Sequence, residues 1–239
     1  MVGEPLTVVL LPGLDGSGLL FEEFVGRTPP GFRAQVVTYP SREVTSYAEL
    51  EPLVRDQLPE GPYVIVGESY SSPLAVQLAA RPIGDLRGLV LAAGFVTAPA
   101  RRFWRLLPWR TAFAFPAPAS WLRFMMGVDA RSGVDRFRVA VQSASPRVLA
   151  ARLRETLTVD VRAELSSVRC PLLYLAARHD RVVPKRCAQE IVELRPDATV
   201  VELDAGHPLL QLKPDAAWRA IADFVEGRCD SPSGGGVAG

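Results

Sequence analysis

The stretch Tyr63-Val64-Ile65-Val66-Gly67-Glu68-Ser69-Tyr70-Ser71-Ser72-Pro73-Leu74 decides how the rest of the chain is read. Tyr63 to Val66 is apolar and mostly β-branched, and short enough for a strand buried on both faces. Leu74 to Ala80 is rich in helix formers, and Pro82 closes that run. Pro73 falls in the first helical turn, where a missing N–H costs little. Between strand and helix the chain must turn sharply.

That turn is Gly67-x-Ser69-x-Ser71. A serine placed there holds its Oγ above the sheet edge, with a helix N-terminus behind it that favours a developing negative charge. The chain approaches itself closely, so the residues two before and two after the serine must be small. Gly67 meets this demand, and Ser71 stands where glycine is usual in the G-x-S-x-G elbow. The plainer alternative is a serine that only caps the helix.

Composition narrows the class. A chain of 239 residues with 48% hydrophobic and 22% charged content suits one globular domain, with room for an insertion. No apolar run approaches the roughly 20 residues that span a bilayer. The N-terminal residues lack the pattern of a secretion signal, and Cys170, Cys187 and Cys229 suit neither a disulfide framework nor a zinc site, which points to a cytoplasmic protein with reduced thiols. A net charge of +1 gives no general attraction to nucleic acid.

In chain order, strands are expected at Leu6–Leu11, Ala34–Tyr39, Tyr63–Val66, Leu86–Ala93, Pro171–Ala176 and Thr199–Leu203. Helices fall between them, at Tyr47–Leu58 (apolar face Leu50, Leu53, Val54 and Leu58), Leu74–Ala80, Pro184–Leu194 and Ala216–Val225. Such alternation predicts an α/β fold with a mostly parallel sheet of about six strands. The alternation stops from 97 to 168, where only helical pieces are expected, divided by Pro108, Pro116 and Pro118. The expected organisation is therefore a core of residues 1–96 and 169–228, a helical cap of 97–168 and a disordered tail of 229–239. The loop Pro12-Gly13-Leu14-Asp15-Gly16-Ser17-Gly18 has neither dinucleotide nor phosphate-loop spacing. A loop of this kind can turn a backbone N–H towards a reacting carbonyl.

Catalytic groups in such sheets gather at the carboxyl ends of strands. A serine nucleophile needs a base. Of the two histidines, His207 lies past the last strand in a Gly-His-Pro turn, whereas His179 reads as a turn residue. Asp180, after the preceding strand, is placed to orient the imidazole, and the order Ser69, Asp180, His207 is that of the α/β-hydrolases. Asp15 reads as a turn former and Glu68 as a residue packed within the elbow.

The elbow, the His179-Asp180-Arg181-Val182-Val183-Pro184 turn and the Asp204-Ala205-Gly206-His207-Pro208 turn together resemble the α/β-hydrolase superfamily, in its serine esterase, lipase and thioesterase-like branch. The resemblance runs from Leu6 to about Val225. It implies the α/β-hydrolase fold, here without the first two family strands. It also implies Ser69 as nucleophile, His207 as general acid and base, Asp180 as orienting acid, and the amides of Leu14 and Tyr70 as oxyanion donors. Pro12-Gly13 replaces the usual His-Gly, and the backbone donors survive that change. Only the backbone of Leu14 is expected to matter. The Pro12–Gly16 loop also resembles that of phytyl-ester-synthase-like acyltransferases.

The expected chemistry is hydrolysis of a carboxylic ester or thioester through an acyl-enzyme, with no cofactor and no metal. Acyl transfer to an alcohol, and a binding protein built on the same fold, are the alternatives. Phe103, Trp104, Trp121, Phe124 and Met125 are candidates to line an apolar substrate pocket under the cap. Residues 97–168 hold 12 arginines, no lysine and five acids, so the segment carries +7 against −6 for the remainder. That asymmetry suggests an anionic carrier or lipid surface as partner, with Arg101, Arg102 and Arg105 as contacts.

Overall fold

The computed structural model describes residues 4–101, 104, 106–127 and 131–229. Six strands form one sheet: β1 (Leu6–Leu11), β2 (Phe32–Val36), β3 (Pro62–Glu68), β4 (Asp85–Ala92), β5 (Leu172–Ala177) and β6 (Thr199–Leu203). Their spatial order is β2-β1-β3-β4-β5-β6, and every pairing is parallel. The direction of winding reverses between β1 and β3. A crevice opens at the carboxyl ends of strands at such a reversal, and both Leu14 and Ser69 lie just beyond these two strands.

The pleat sends alternate side chains to opposite faces. Val9, Leu11, Tyr63, Ile65, Leu89 and Leu91 point to one side, against α2 (Tyr47–Arg55), α3 (Ser72–Ala80) and α8 (Arg162–Ser167). Val8, Leu10, Val64, Val66, Val90 and Leu173 point to the other, against α1 (Glu22–Gly26), α10 (Leu209–Leu212) and α11 (Pro214–Cys229). With both faces covered, the strands read as unbroken apolar runs.

The strand expected at Ala34–Tyr39 is β2, shifted towards the N-terminus. Leu6 pairs with Phe32 and Leu10 with Val36. Beyond Val37 the chain leaves the sheet, because the Tyr39 amide donates to the Gly16 carbonyl at 2.8 Å. α2 starts at a capping box formed by Ser46 and Glu49. Its buried stripe is Tyr47, Leu50 and Val54, whereas Leu53 falls beside that stripe and is exposed. α11 runs to Cys229, past the expected end at Val225, and takes Gly227 into its last turn. Residues 230–239 of the expected tail lie outside the described residues.

Between β4 and β5 the regular elements are helices: α4 (Trp109–Ala114), α5 (Ala119–Met126), α6 (Arg131–Ser143), α7 (Pro146–Thr156) and α8. α4 packs on α7, and α5 on α6. After β5 come α9 (Lys185–Leu194), β6 and the two C-terminal helices. Among the described residues no helix is long and apolar enough to cross a membrane.

Candidate active site

Ser69 follows β3 directly and has φ +49°. A non-glycine residue there carries about 1–3 kcal/mol of backbone strain, which the surroundings must hold in place. A Cβ on Gly67 would lie 2.6 Å from the Ala75 Cβ and 2.9 Å from the Ser71 carbonyl, so this position admits only glycine. The Tyr47 hydroxyl donates to the Tyr70 carbonyl at 2.7 Å, across a stacked pair of rings. Ser71 is fully buried. Its hydroxyl donates to the Pro12 carbonyl and accepts from the Tyr39 hydroxyl at 2.6 Å. The residue that replaces the usual glycine therefore ties the elbow to the loop after β1.

Ser69, Asp180 and His207 meet at one end of the sheet, from turns after β3, β5 and β6. The His207 Nε2 lies 2.8 Å from the Ser69 Oγ, and its Nδ1 lies 2.8 Å from the Asp180 Oδ2. A carboxylate only accepts, so Nδ1–H donates to Asp180 and the Ser69 hydroxyl donates to Nε2. The other carboxylate oxygen of Asp180 accepts from the amides of Val182 and Val183 at 2.7 and 2.8 Å, which fixes its plane. His207 and Asp180 are both buried. Burial alone would push the imidazole down, but the Asp180 carboxylate bonded to it, helped by Glu68, outweighs burial and raises it.

Glu68 is buried beside Ser69 in the chain. It accepts one hydrogen bond, from the Gln211 amide at 3.1 Å, and its Oε1 has no partner among the described residues. Burial raises its carboxyl to about 7. His179 forms an exposed pair with Asp204 at 2.8 Å, as a turn residue should. Asp15 accepts from the amide and hydroxyl of Ser17 and so closes its own turn.

Leu14 and Tyr70 sit on the two sides of the crevice. The Gly16 amide donates to the Gly13 carbonyl at 3.1 Å. The Leu14 N–H is the opposite end of that planar peptide and faces the other way. The Leu14 side chain packs against the Ala144, Val148 and Leu149 cluster of the inserted segment. Sequence reading also passed over Arg152 of α7, which is fully buried. Its spacing of four from Val148 and three from Leu149 places it on the apolar stripe of α7, unlike exposed Arg147 and Arg154, and that spacing is the signal that could have found it.

The candidate pocket residues are spread out. Trp104, Trp121 and Phe124 are exposed, at 41%, 53% and 60%. Met125 is half-buried, and Phe103 lies outside the described residues. Trp104 stacks on Trp109. α4 and α5 are too short to shield both of their faces, so these aromatics do not form the sealed cap core that their number suggests. The end of α5 nevertheless reaches the turn that holds Asp180. The Arg181 guanidinium donates to the Phe124 carbonyl at 2.6 Å and lies 4.3 Å from the Phe124 ring centroid.

The sequence pattern of the alpha/beta hydrolase family matches residues 8–221. A pimeloyl-[acyl-carrier protein] methyl ester esterase of Vibrio vulnificus is 28% identical over 243 residues, covering 93% of this chain and 95% of the relative. An N-formylmaleamate deformylase of Pseudomonas putida is 28% identical over 175 residues, covering 69% of this chain and 63% of the relative. Among solved structures, the enol-lactonase of Burkholderia xenovorans LB400 superposes with a TM-score of 0.77 at 18% identity, covering 94% of this chain and 92% of that one. The parallel sheet, the elbow and these matches agree: the chain is a hydrolase that belongs to the alpha/beta hydrolase family.

Proposed function

We propose that the chain is a serine carboxylesterase-type hydrolase that cleaves an ester or thioester with an apolar acyl group, through an acyl-enzyme on Ser69. The observation that carries this reading is the unbroken chain of two 2.8 Å hydrogen bonds from Ser69 through His207 to Asp180. The Ser69 Oγ attacks the carbonyl carbon while its proton passes to the His207 Nε2. The imidazolium is stabilised by Asp180. The oxyanion is received by the Leu14 and Tyr70 amides, and the described backbone hydrogen bonds use neither as a donor. His207 then returns the proton to the leaving alcohol or thiol. In the second half it takes a proton from water, whose oxygen attacks the acyl carbon and releases the acid and Ser69.

On this reading residues 97–168 act as a cap. The contacts of α5 with Arg181 and of Leu14 with α7 support that role. The acyl group is delivered on an acidic carrier. The relative's substrate, an ester on an acyl-carrier protein, supports this, as do exposed Arg101, Arg110, Arg123, Arg147 and Arg154 on the inserted segment. Arg102 and Arg105 lie outside the described residues.

The test is a fluorophosphonate probe followed by a series of p-nitrophenyl esters of increasing acyl length. Stoichiometric labelling at Ser69 and turnover that rises with chain length are expected. A folded protein that is neither labelled nor active would overturn the reading.

A further inference from the structure

Arg152 is a fully buried guanidinium, and none of the described ion pairs includes it. Burying such a charge without a carboxylate is unfavourable unless its donors are satisfied. Here the two terminal nitrogens are spent on carbonyls, while Nε has no partner among the described residues. Nη1 donates to Leu14 at 3.0 Å and to Asp15 at 2.7 Å, and Nη2 donates to Pro40 at 2.9 Å. The cation also sits over two aromatic rings, 5.5 Å from the Tyr39 centroid and 5.9 Å from that of Tyr70. A Cβ on Gly16 would meet Nη1 at 2.3 Å, so the glycine leaves the space that the guanidinium fills.

These contacts have one feature in common. Leu14 and Asp15 belong to the loop after β1, Pro40 and Tyr39 to the segment after β2, and Tyr70 is the residue after the nucleophile. Arg152 comes from α7, on the inserted helices. One side chain thus joins the insertion to both sides of the oxyanion crevice. The fork geometry of a guanidinium suits this; an ammonium presents a single nitrogen and cannot span carbonyls from two loops.

We propose that Arg152 is a positioning residue for the oxyanion hole: by clamping the Leu14 and Asp15 carbonyls it fixes the two peptides that follow the Leu14 amide and, through the Leu14 backbone, holds that amide in place, so that the inserted helices help build the catalytic site as well as cover it. This rests on the serine-esterase reading above. Arg152 does not touch the substrate. Its effect falls on the tetrahedral state, where the amide meets a full negative charge, more than on the bound ester.

The experiment uses the full chain with Arg152→Lys and Arg152→Met, each active-site-titrated with a fluorophosphonate so that rates refer to competent sites alone. Three quantities are measured: kcat and KM for a p-nitrophenyl ester, and Ki for a trifluoromethyl ketone of the same acyl length. The expected result for both variants is a kcat per titrated site lower by about 10- to 100-fold, less than the roughly 100- to 1000-fold of a donor removed outright. KM should change less than threefold, and Ki should rise in parallel with the loss in kcat. In a third variant, Arg152→Ala, millimolar guanidinium should restore part of kcat. A structural role alone would lower the number of titrated sites and leave kcat per site near the wild-type value, and that outcome overturns the proposal. If Arg152→Met does not fold, Arg152→Lys decides, since it keeps the charge and loses the fork. A wild-type chain without labelling or turnover would instead defeat the esterase reading itself.

Discussion

A Cβ placed on Gly206 would lie 2.1 Å from the Met126 carbonyl oxygen and 2.8 Å from the Gly127 Cα. The end of α5 thus rests directly on the residue before His207. Both partners are backbone, so neither can swing aside. Gly206→Ala should displace the His207 turn by a fraction of an ångström or more. Such misplacement lowers kcat by about 100-fold, with a smaller effect on folding. Steady-state kinetics beside a thermal melt checks this; a variant with wild-type kcat would show that the α5 contact is not transmitted to the histidine.

Ser69→Ala and His207→Ala should each lower kcat by about 10⁶, and the double variant should be little worse, because the pair acts as a unit. Asp180→Asn should lose about 10⁴ by favouring the wrong imidazole tautomer. Additive losses in the double variant, or near-normal activity of Asp180→Asn, would mean that the roles are wrongly assigned.

Ser71→Gly would restore the residue usual at this place in the elbow, yet it should destabilise the protein. It leaves the buried Tyr39 hydroxyl and the Pro12 carbonyl without their shared partner. Orphaning such groups costs about 1–3 kcal/mol. Chemical denaturation should show a lower midpoint, and an unchanged midpoint would mean that water replaces the hydroxyl.

Glu68 gives a pH dependence of stability. Its carboxyl is near 4.5 when solvated and about 7 in the folded chain, raised by burial. Between those values the unfolded chain has lost a proton that the folded chain keeps, so stability falls as pH rises through this window and levels off above it. The full effect is on the order of 3 kcal/mol. Glu68→Gln should remove that slope: its stability relative to wild type should be greater at pH 8 than at pH 5. Equal differences at both values would show that Glu68 is ionised in the folded protein.

Surface charge is tested by salt. The exposed arginines of residues 97–168 should speed capture of an acidic acyl carrier. The Debye length falls from about 30 Å at 0.01 M salt to about 10 Å at 0.1 M. Over that range kcat/KM should fall several-fold for an ester on an acyl carrier and stay level for a neutral p-nitrophenyl ester. An equal response of both would reduce the arginines to composition, and anionic vesicles that compete with the carrier would favour a lipid surface.

Much of this molecule was legible because its signals are local. The strand at Tyr63–Val66, the small residue at Gly67 and the turns at Asp180 and His207 each follow from a few neighbouring residues. What escaped depends on partners far apart in the chain. Arg152 is held by carbonyls of Leu14, Asp15 and Pro40, and Ser71 by Tyr39 and Pro12. The expected β2 runs too far because Val37, Thr38 and Tyr39 look like strand residues; Val37 still donates to Leu10, but the bond from Tyr39 to Gly16 takes Thr38 and Tyr39 away from the sheet. Trp104, Trp121 and Phe124, candidates for the pocket lining, are exposed. Their exposure reflects short helices separated by prolines.

Ser69 and His207, the proposed nucleophile and base, lie 138 residues apart in sequence. During synthesis from the N-terminus, Ser69 emerges long before His207, and before β5 and β6 can dock to bring the histidine across. Until then its hydroxyl has no base and is an ordinary alcohol. A nascent chain therefore carries a harmless serine, and esterase competence arrives only when the last strand closes the sheet. A chain terminated before Thr199 would retain the elbow sequence and be silent, which makes turnover a late reporter of completed folding.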